Sequence, residues 1–585
     1  MAKKVRKNKQ TYRAKSRFLS WIHENRWTLV FFTMYLIVTL TAVLLHENWE
    51  DETQAWLTAR ECSPIEIFER MSMEGHFAPW YFILMPFAKL GFPYKTMNII
   101  SWLITASAAW LMLKNLPCKF YKRVIFIFTF PMLYLYPTVS RCYCLLPLGV
   151  IMAIMFYKDR FRRPLRYLFS IFIIASVHVH TFVFALVMGV EYLLDWIKMR
   201  KKLSRRQNAL IMSGTTGVVL LVGLSCLPLV GSVGIVGQST SGLNILLYEN
   251  PLKQLFVYTP INFFRWFTGP LAEPAYVAGS FLIAWGFFNR KSVFFKIAAS
   301  CIWQWTITTF LFNLIVPQRV MIVMFVMLFF VSCRRWRPKE SDVFSKSGWK
   351  WTIILSNIAF IAITIWLEID TGNIVLAFIP FFSIVIYGLA FLANYKNVYF
   401  RNKLRKCGHA IAMGSLLFLA LLNVWIGITW VKEEIEKPYS DALATANYIN
   451  SNIDDDSVFL TFQESSMFLT AIIPDLRVQD NRFYSVRRHE FYTYTVYLTP
   501  DITQLAISDI VWSNYCHLSK KLYYLGISAD YYGKDIFDPN ISLEPTTALE
   551  ENETLTKIFD IYEGVSSTEH YAIFELNPDI CKNEK

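Results

Sequence analysis

Apolar and polar positions fall in long blocks along this chain. Runs of mostly apolar residues, several near the roughly 20 residues that cross a bilayer as a helix, alternate with short stretches rich in Lys and Arg. The first run, Trp27 to Leu45, follows a tail carrying Lys3, Lys4, Arg6, Lys7, Lys9, Arg13, Lys15 and Arg17. No small-residue cleavage site follows it, so it is expected to remain as a signal anchor with the basic tail in the cytoplasm. Basic loops recur at Lys114–Arg123, Lys158–Arg166, Lys198–Arg206, Arg290–Lys296, Arg334–Lys350 and Lys396–Lys406. Each is expected on the cytoplasmic side, which requires one outward and one inward span between consecutive loops.

Candidate spans fill these intervals. They are Asn98–Leu113, Val124–Pro137, Tyr143–Phe156, Leu168–Val177, Phe182–Trp196, Ala209–Val230, Ala272–Phe288, Ile297–Leu314, Arg319–Val331, Trp351–Leu367, Ile374–Leu392 and Ala410–Trp430. With the first run they make about 13 spans, N-terminus inside and C-terminus outside. Phe77–Leu90 is short and interrupted by Pro79 and Pro86. Counting it as a crossing would put the basic loop at Lys114–Arg123 outside, so it reads as an interfacial or re-entrant helix in an exterior loop, 46–97. The aromatic loop Gly231–Leu271 is expected to lie at headgroup level in the same way.

Composition narrows the class. Over 585 residues the chain is 54% hydrophobic with a mean hydropathy of +0.34, which marks a membrane protein. The net charge of +14 is spread over loops between apolar runs, with no basic stripe on a polar fold, so nucleic acid is excluded as a partner. Cys142, Cys144, Cys226, Cys301 and Cys333 lie in or beside apolar spans as small core residues; Cys62, Cys516 and Cys581 fall in exterior segments, and a Cys516–Cys581 disulfide stays open. Composition turns polar at about Val431. The expected organisation is a cytoplasmic tail (1–26), a transmembrane body (27–430) and an exterior α/β or α+β domain (431–585). In that last domain Ser440–Ile449 reads as a helix, Ser457–Phe462 and Ile507–Trp512 as strands, and Lys557–Tyr562 with His570–Leu576 as a hairpin.

The chemistry-bearing residues sit at the exterior ends of the spans. Glu50, Asp51 and Glu52 follow the first span directly. Carboxylates at a membrane face cost free energy unless solvated or paired, so they are candidates for a general base or a metal ligand. Arg141 and Arg319 lie at exterior ends, against the positive-inside bias, where a permanently charged planar fork suits a phosphate. Arg265 is a third such position. His178 and His180 form an H-x-H pair without an adjacent carboxylate, which fits hydrogen-bonded interfacial histidines better than a metal site. His76, before Phe77–Leu90, is placed to line a substrate cavity.

Taken in order, these elements resemble the GT-C superfamily of integral-membrane glycosyltransferases, in the bacterial branch similar to protein O-mannosyltransferases and the lipid A aminoarabinose transferase. Asp51-Glu52 matches the Asp-Glu pair that follows the first span in that family. Gly75-His76-Phe77-Ala78-Pro79 looks like a relaxed form of its Gly-His-Pro-Pro-Leu element. Arg141-Cys142-Tyr143 matches an Arg-x-Tyr element, and Arg319 an arginine that opens a late span. The resemblance covers residues 27–430. It implies an inverting transfer of a sugar from a polyprenyl-phosphate donor to a glycan, lipid or protein acceptor, on the exterior face of the cytoplasmic membrane. It casts Asp51 and Glu52 as catalytic residues and Arg141, Arg319 and Tyr143 as binders of the donor phosphate. Glu50, His76, His178, His180 and Arg265 would line the substrate cavity. Many relatives carry a second acid before the Arg-x-Tyr element, where this chain has Val139-Ser140, so a divalent metal cofactor stays open. A transporter or flippase, or a polymerase or ligase of lipid-linked saccharides, is the alternative class. The first would place ionisable residues at mid-membrane, whereas these acids gather at the exterior face.

Overall fold

The computed structural model describes residues 2–71, 77–226, 321–333, 336, 398–461, 467–485, 490–494, 521–527, 555–565 and 569–576. The expected spans Ala272–Phe288, Ile297–Leu314, Trp351–Leu367 and Ile374–Leu392, the strand at Ile507–Trp512 and the Cys516–Cys581 pair lie outside these residues.

The chain opens with α1 (Ala2–Leu45), a helix that carries the basic tail and the first apolar run without a break. Three short helices follow, α2 (Glu50–Glu61), α3 (Pro64–Arg70) and α4 (Pro79–Lys89), each but α2 with Pro at its start, where the missing N–H costs nothing. Next come α5 (Thr96–Asn115), α6 (Phe120–Ile127), a π-helical turn (Pro131–Leu135), the one-turn α7 (Tyr136–Thr138), a 3-10 turn (Cys142–Cys144) and α8 (Leu145–Tyr157). Then α9 (Pro164–Ala175), α10 (Val179–Met199), α11 (Arg205–Cys226), α12 (Ile322–Cys333) and α13 (Val398–Glu436) complete the described helical body. Among the described residues three stretches are long and apolar enough to cross a membrane: Ile22–Leu45, Thr96–Asn115 and Lys406–Glu436. Val30, Met34, Ile37 and Leu44 on α1, and Leu417, Leu421, Trp425 and Ile428 on α13, leave large apolar side chains exposed at helical spacing. Water would penalise such faces; a bilayer does not.

The expected span Val124–Pro137 is not one helix. Pro131 and Pro137 break the ladder, and buried polar groups must then find other partners. They do so on neighbouring helices. Tyr35 on α1 donates to the Met132 carbonyl at 2.7 Å. Ser101 and Thr105 on α5 donate to the Tyr136 carbonyl at 3.0 and 3.2 Å. Phe130 N–H donates to Asn423 Oδ1 on α13 at 3.1 Å. The break is thus stitched to α1, α5 and α13, and it lets the chain turn back sharply at Val139–Arg141.

After α13 the chain builds α14 (Ala442–Asn452), β1 (Val458–Thr461), α15 (Met467–Thr470), β2 (Phe483–Ser485), β3 (Glu490–Tyr492), β4 (Leu522–Ile527), β5 (Leu555–Ile561) and β6 (Tyr571–Leu576). The sheet order is β3-β2-β1-β4-β6-β5. β1 is parallel to β2 and β4, and the β5–β6 pair is the antiparallel hairpin expected from the sequence. β1 is buried throughout, which fits a central strand. α14 packs Ala446 and Ile449 into the sheet's core with Phe459, Tyr523 and Ile573.

α2 lies between these two bodies. Its Ala55, Trp56 and Ala59 belong to the core of the helical body, while Leu57 belongs to the core beside the sheet. Nine of its twelve residues are buried. The expected exterior segment 46–97 therefore contains a helix clamped on both sides.

Close approach at α13 supplies a test. A Cβ on Gly427 would sit 3.1 Å from Phe130 Cα and 3.2 Å from its nitrogen, while a Cβ on Gly414 of the same helix meets nothing within 4 Å. Gly427→Leu should lower thermal stability in detergent by about 1–3 kcal/mol through overpacking. Gly414→Leu should leave the melting temperature unchanged, and equal melting of the two variants would refute the contact.

Candidate active site

Of the residues expected to carry chemistry, Glu50, Asp51, Glu52, Arg141, Tyr143, His178 and His180 are among the described residues and gather toward one end of the helical body. The basic side chains of the loops around Lys114–Arg123 and Lys158–Arg166 lie at the other: Lys114 bonds Asn25, Arg123 Nη1 donates to Leu113 O at 2.8 Å, and Arg160 pairs with Asp195 at 3.0 Å.

The centre of the site is His46, directly after α1. Its Nε2 is 2.8 Å from Glu52 Oε2 on α2, and its Nδ1 is 3.0 Å from Glu434 Oε1 at the end of α13. All three side chains are buried. An imidazole with a carboxylate at each nitrogen can satisfy both only as the doubly protonated ring. Burial alone would strip that proton. Glu434 and Glu52 outweigh it and push the His46 pKa up to about 10. Tyr134 donates to Glu434 Oε2 at 2.6 Å, and Trp49 N–H to Glu52 Oε2 at 3.3 Å. Ser140 N–H, released by the break at Pro137, donates to Glu52 Oε1.

Glu52 was expected beside Asp51 as a catalytic carboxylate. It is 0% exposed with both oxygens engaged, so its geometry is that of a group that holds α1, α2 and the Val139–Ser140 turn together. Asp51 points elsewhere because successive helical residues are rotated by about 100°. Its side chain is 23% exposed and pairs through Oδ2 with Arg141 Nη1. Arg141 is 11% exposed and stands in extended backbone just ahead of the 3-10 turn. A partly exposed carboxylate on α2 and a largely buried guanidinium from the extended segment before α8 are thereby placed in contact.

Glu50, expected in the substrate cavity, is instead buried against the sheet domain. Its backbone N–H donates to Glu569 Oε1, just before β6. Glu50 Oε2 and Glu569 Oε2 are both buried without a hydrogen-bond partner among the described residues. Burial, and then the neighbouring Glu569, hold the Glu50 carboxyl well above its usual range, with Arg141 opposing. Burial is also the main cause that pushes Glu569 up to about 8. A carboxyl pair of this kind is neutral in part at physiological pH. Beside it, His570 Nδ1 meets Asp441 Oδ2 at 2.7 Å, and Tyr439 rests on the rings of His46 and Trp49.

Tyr143 links Arg141 to the histidine pair. Its ring stacks on Tyr136 at 6.2 Å and on His178 at 5.5 Å. His178 in turn stacks on His180 at 4.9 Å, with their Nδ1 atoms 3.0 Å apart. Both histidines are buried. His178 also caps α10 through Thr181, whose Oγ1 accepts from His178 N–H at 2.9 Å. This is the hydrogen-bonded pair expected from the sequence, and a ring stack carries it to the site. Among the described residues no group of three or more His, Cys, Asp or Glu is placed to hold a metal ion. His76, Arg265 and Arg319 lie outside the described residues.

Sequence reasoning did not find His46, Glu434 or Glu569. His46 ends an apolar run and Glu434 sits within Lys432-Glu433-Glu434-Ile435-Glu436, where one acid on the apolar face of a helix is a faint signal. Nothing in the sequence marked Glu569.

Known proteins were compared with the chain. No protein-family model matches it, and no curated protein does. Among solved structures it is similar to the crystal structure of ArnT from Cupriavidus metallidurans bound to undecaprenyl phosphate. The identity is 12% and the TM-score 0.44, over 95% of this chain and 99% of that one.

The His46 clamp carries a pH dependence. The folded pKa of about 10 lies above the ordinary histidine value of 6.5, so the stabilisation is complete below about pH 6.5 and is lost as pH rises through about 10. Detergent-solubilised protein should lose melting temperature across that window. His46→Gln should flatten the loss while lowering stability throughout, by about 3–5 kcal/mol where a buried pair is broken. A variant retaining the full alkaline slope would mean that some other group titrates.

Proposed function

We propose that the protein is a membrane-embedded glycosyltransferase that takes its sugar from a polyprenyl-phosphate donor at the exterior face. The observation that carries this is the Asp51–Arg141 pair, a partly exposed carboxylate and a guanidinium held together at the end of the bundle opposite the loops of Lys114–Arg123 and Lys158–Arg166. In this reading residues 1–26 are cytoplasmic, 27–430 span the membrane many times, and 431–585 stand outside.

The roles follow from the chemistry. At rest Arg141 and Asp51 satisfy each other. The donor's phosphate competes for the guanidinium, which binds phosphate as a planar fork. Asp51 is then released to accept the proton of the acceptor hydroxyl. As the acceptor oxygen bonds to the sugar's anomeric carbon, the bond from that carbon to the phosphate oxygen breaks. Its electron pair leaves with the lipid phosphate, where Arg141 stabilises the developing charge. Attack opposite the leaving phosphate would invert the anomeric centre. Tyr143, two residues on from Arg141 and packed against Tyr136 and His178, fixes the strand of backbone from which Arg141 projects. Arg319 is proposed as a second phosphate ligand from its place at the exterior end of a late span, and His76 and Arg265 as cavity residues. His178 and His180 support Tyr143, and Glu52 supports the helix that presents Asp51.

Reconstituted protein supplied with polyprenyl-phosphate sugars should consume donor and yield a glycosylated product by mass analysis. Asp51→Asn should lower turnover by roughly 10²–10⁴-fold, the usual contribution of a general base. Arg141→Lys should lower it by roughly 10²–10³-fold, as for loss of a transition-state donor. Undiminished transfer by folded Asp51→Asn would end this assignment.

A further inference from the structure

We propose that Glu569, from the sheet domain, is a positioning residue for Asp51, acting by capping the helix that carries it. The inference rests on the reading of Asp51 as the base, but its structural half can be measured without any activity.

The argument begins with the ends of α2. Its N-cap residue is Trp49, which offers no side-chain acceptor to the first turn, so the helix starts with N–H groups that must be satisfied from outside. One of them, on Glu50, is satisfied by Glu569 Oε1 from more than five hundred residues away in sequence. Asp51 is the next residue. Its direction toward Arg141 is therefore set by a turn whose first hydrogen bond comes from another domain.

The surroundings make Glu569 immobile. It is 0% exposed, its backbone carbonyl accepts from Asp441 N–H at 3.3 Å, and the following His570 is tied to Asp441 at 2.7 Å. The domain also grips the far end of α2, where Gln479 Oε1 accepts from Arg60 Nη1 at 2.6 Å, and Leu57 enters the core beside the sheet. The sheet domain is thus a bracket for the catalytic helix as well as any surface it offers to an acceptor.

Reach and charge make opposite predictions on substitution. Glu569→Gln keeps an acceptor oxygen at the same reach and offers an amide N–H to the Glu50 carboxyl. Glu569→Asp keeps the carboxyl group and withdraws the oxygen by one methylene. If Glu569 positions α2 by reach, hydrogen exchange at amides 50–54 stays at the wild-type rate in Glu569→Gln. It rises at least tenfold in Glu569→Asp, while amides of β4 and β6 keep their protection in both. Turnover should follow the same order, Glu569→Asp losing roughly 10²-fold in kcat, the scale of a 1 Å misplacement, with the donor KM little changed. Wild-type exchange in Glu569→Asp, faster exchange in Glu569→Gln, or an equal rise in both would overturn the proposal. Altered exchange in Glu569→Asp together with an active Asp51→Asn would instead keep the cap and discard the assignment of Asp51.

Discussion

A buried imidazole between two buried carboxylates ties three helices of this structure together. His46 joins the end of α1 to the end of α13, residues 388 apart in sequence, and to α2 at the same time. Two charges buried alone would be a liability, because desolvation outweighs a single attraction in most such pairs. Here the ring has a partner at each nitrogen, and the carboxylates collect further donors from Tyr134, Trp49 and Ser140. The network closes because each element supplies what another lacks. The proline-broken turn after the π-helix has a free N–H, and α2 has a carboxylate that needs one. Removing the ring would leave two buried acids facing each other, so the clamp is cooperative in the sense that no member is cheap to delete.

Three consecutive acids follow that clamp and do three different things. Glu50 turns into the sheet domain, Glu52 into the helical body, and Asp51, between them, into the opening where Arg141 stands. Helical rotation fans them apart, and burial then assigns each a state. The side chain that remains accessible is the one whose neighbours on either side are both immobilised. Precision at Asp51 thus comes from residues that never meet a substrate.

Much of this was legible in the amino-acid order and some was not, for identifiable reasons. Apolar runs report burial in lipid or core, so α1, α5, α8, α10, α12 and α13 fall where periodicity and basic loops place them. The β5–β6 hairpin was legible because two short apolar-rich segments, Lys557–Tyr562 and His570–Leu576, stand on either side of a polar turn. The broken helix at Pro131–Thr138 was read as a span because its residues are as apolar as a span's; the break shows only in where the freed carbonyls and N–H groups go. β4 was missed because Leu522–Ile527 is a short run interrupted by Gly526, and its pairing with β1 spans some sixty residues. At the site, Asp51 and Arg141 stood out as charges in the wrong place for a membrane. His46, Glu434 and Glu569 did not, because a paired buried charge looks like any polar residue until its partner is known.

The contrast between the two kinds of ion pair explains how such a site can be rigid and still accept a ligand. The His46 clamp is sealed from solvent, so its charges have no alternative partners and it does not open. The Asp51–Arg141 pair keeps 23% and 11% side-chain exposure, so unlike the clamp it is not fully sealed from solvent. In the proposed reaction a phosphate, carrying more charge than a carboxylate and matching the guanidinium fork at two oxygens, would compete with Asp51 for Arg141. Exchange of partners then requires no movement of α2 or of the Val139–Arg141 turn. In the proposed reaction the Asp51–Arg141 contact is the one a substrate would replace, and the sealed clamp holds everything else still while it does.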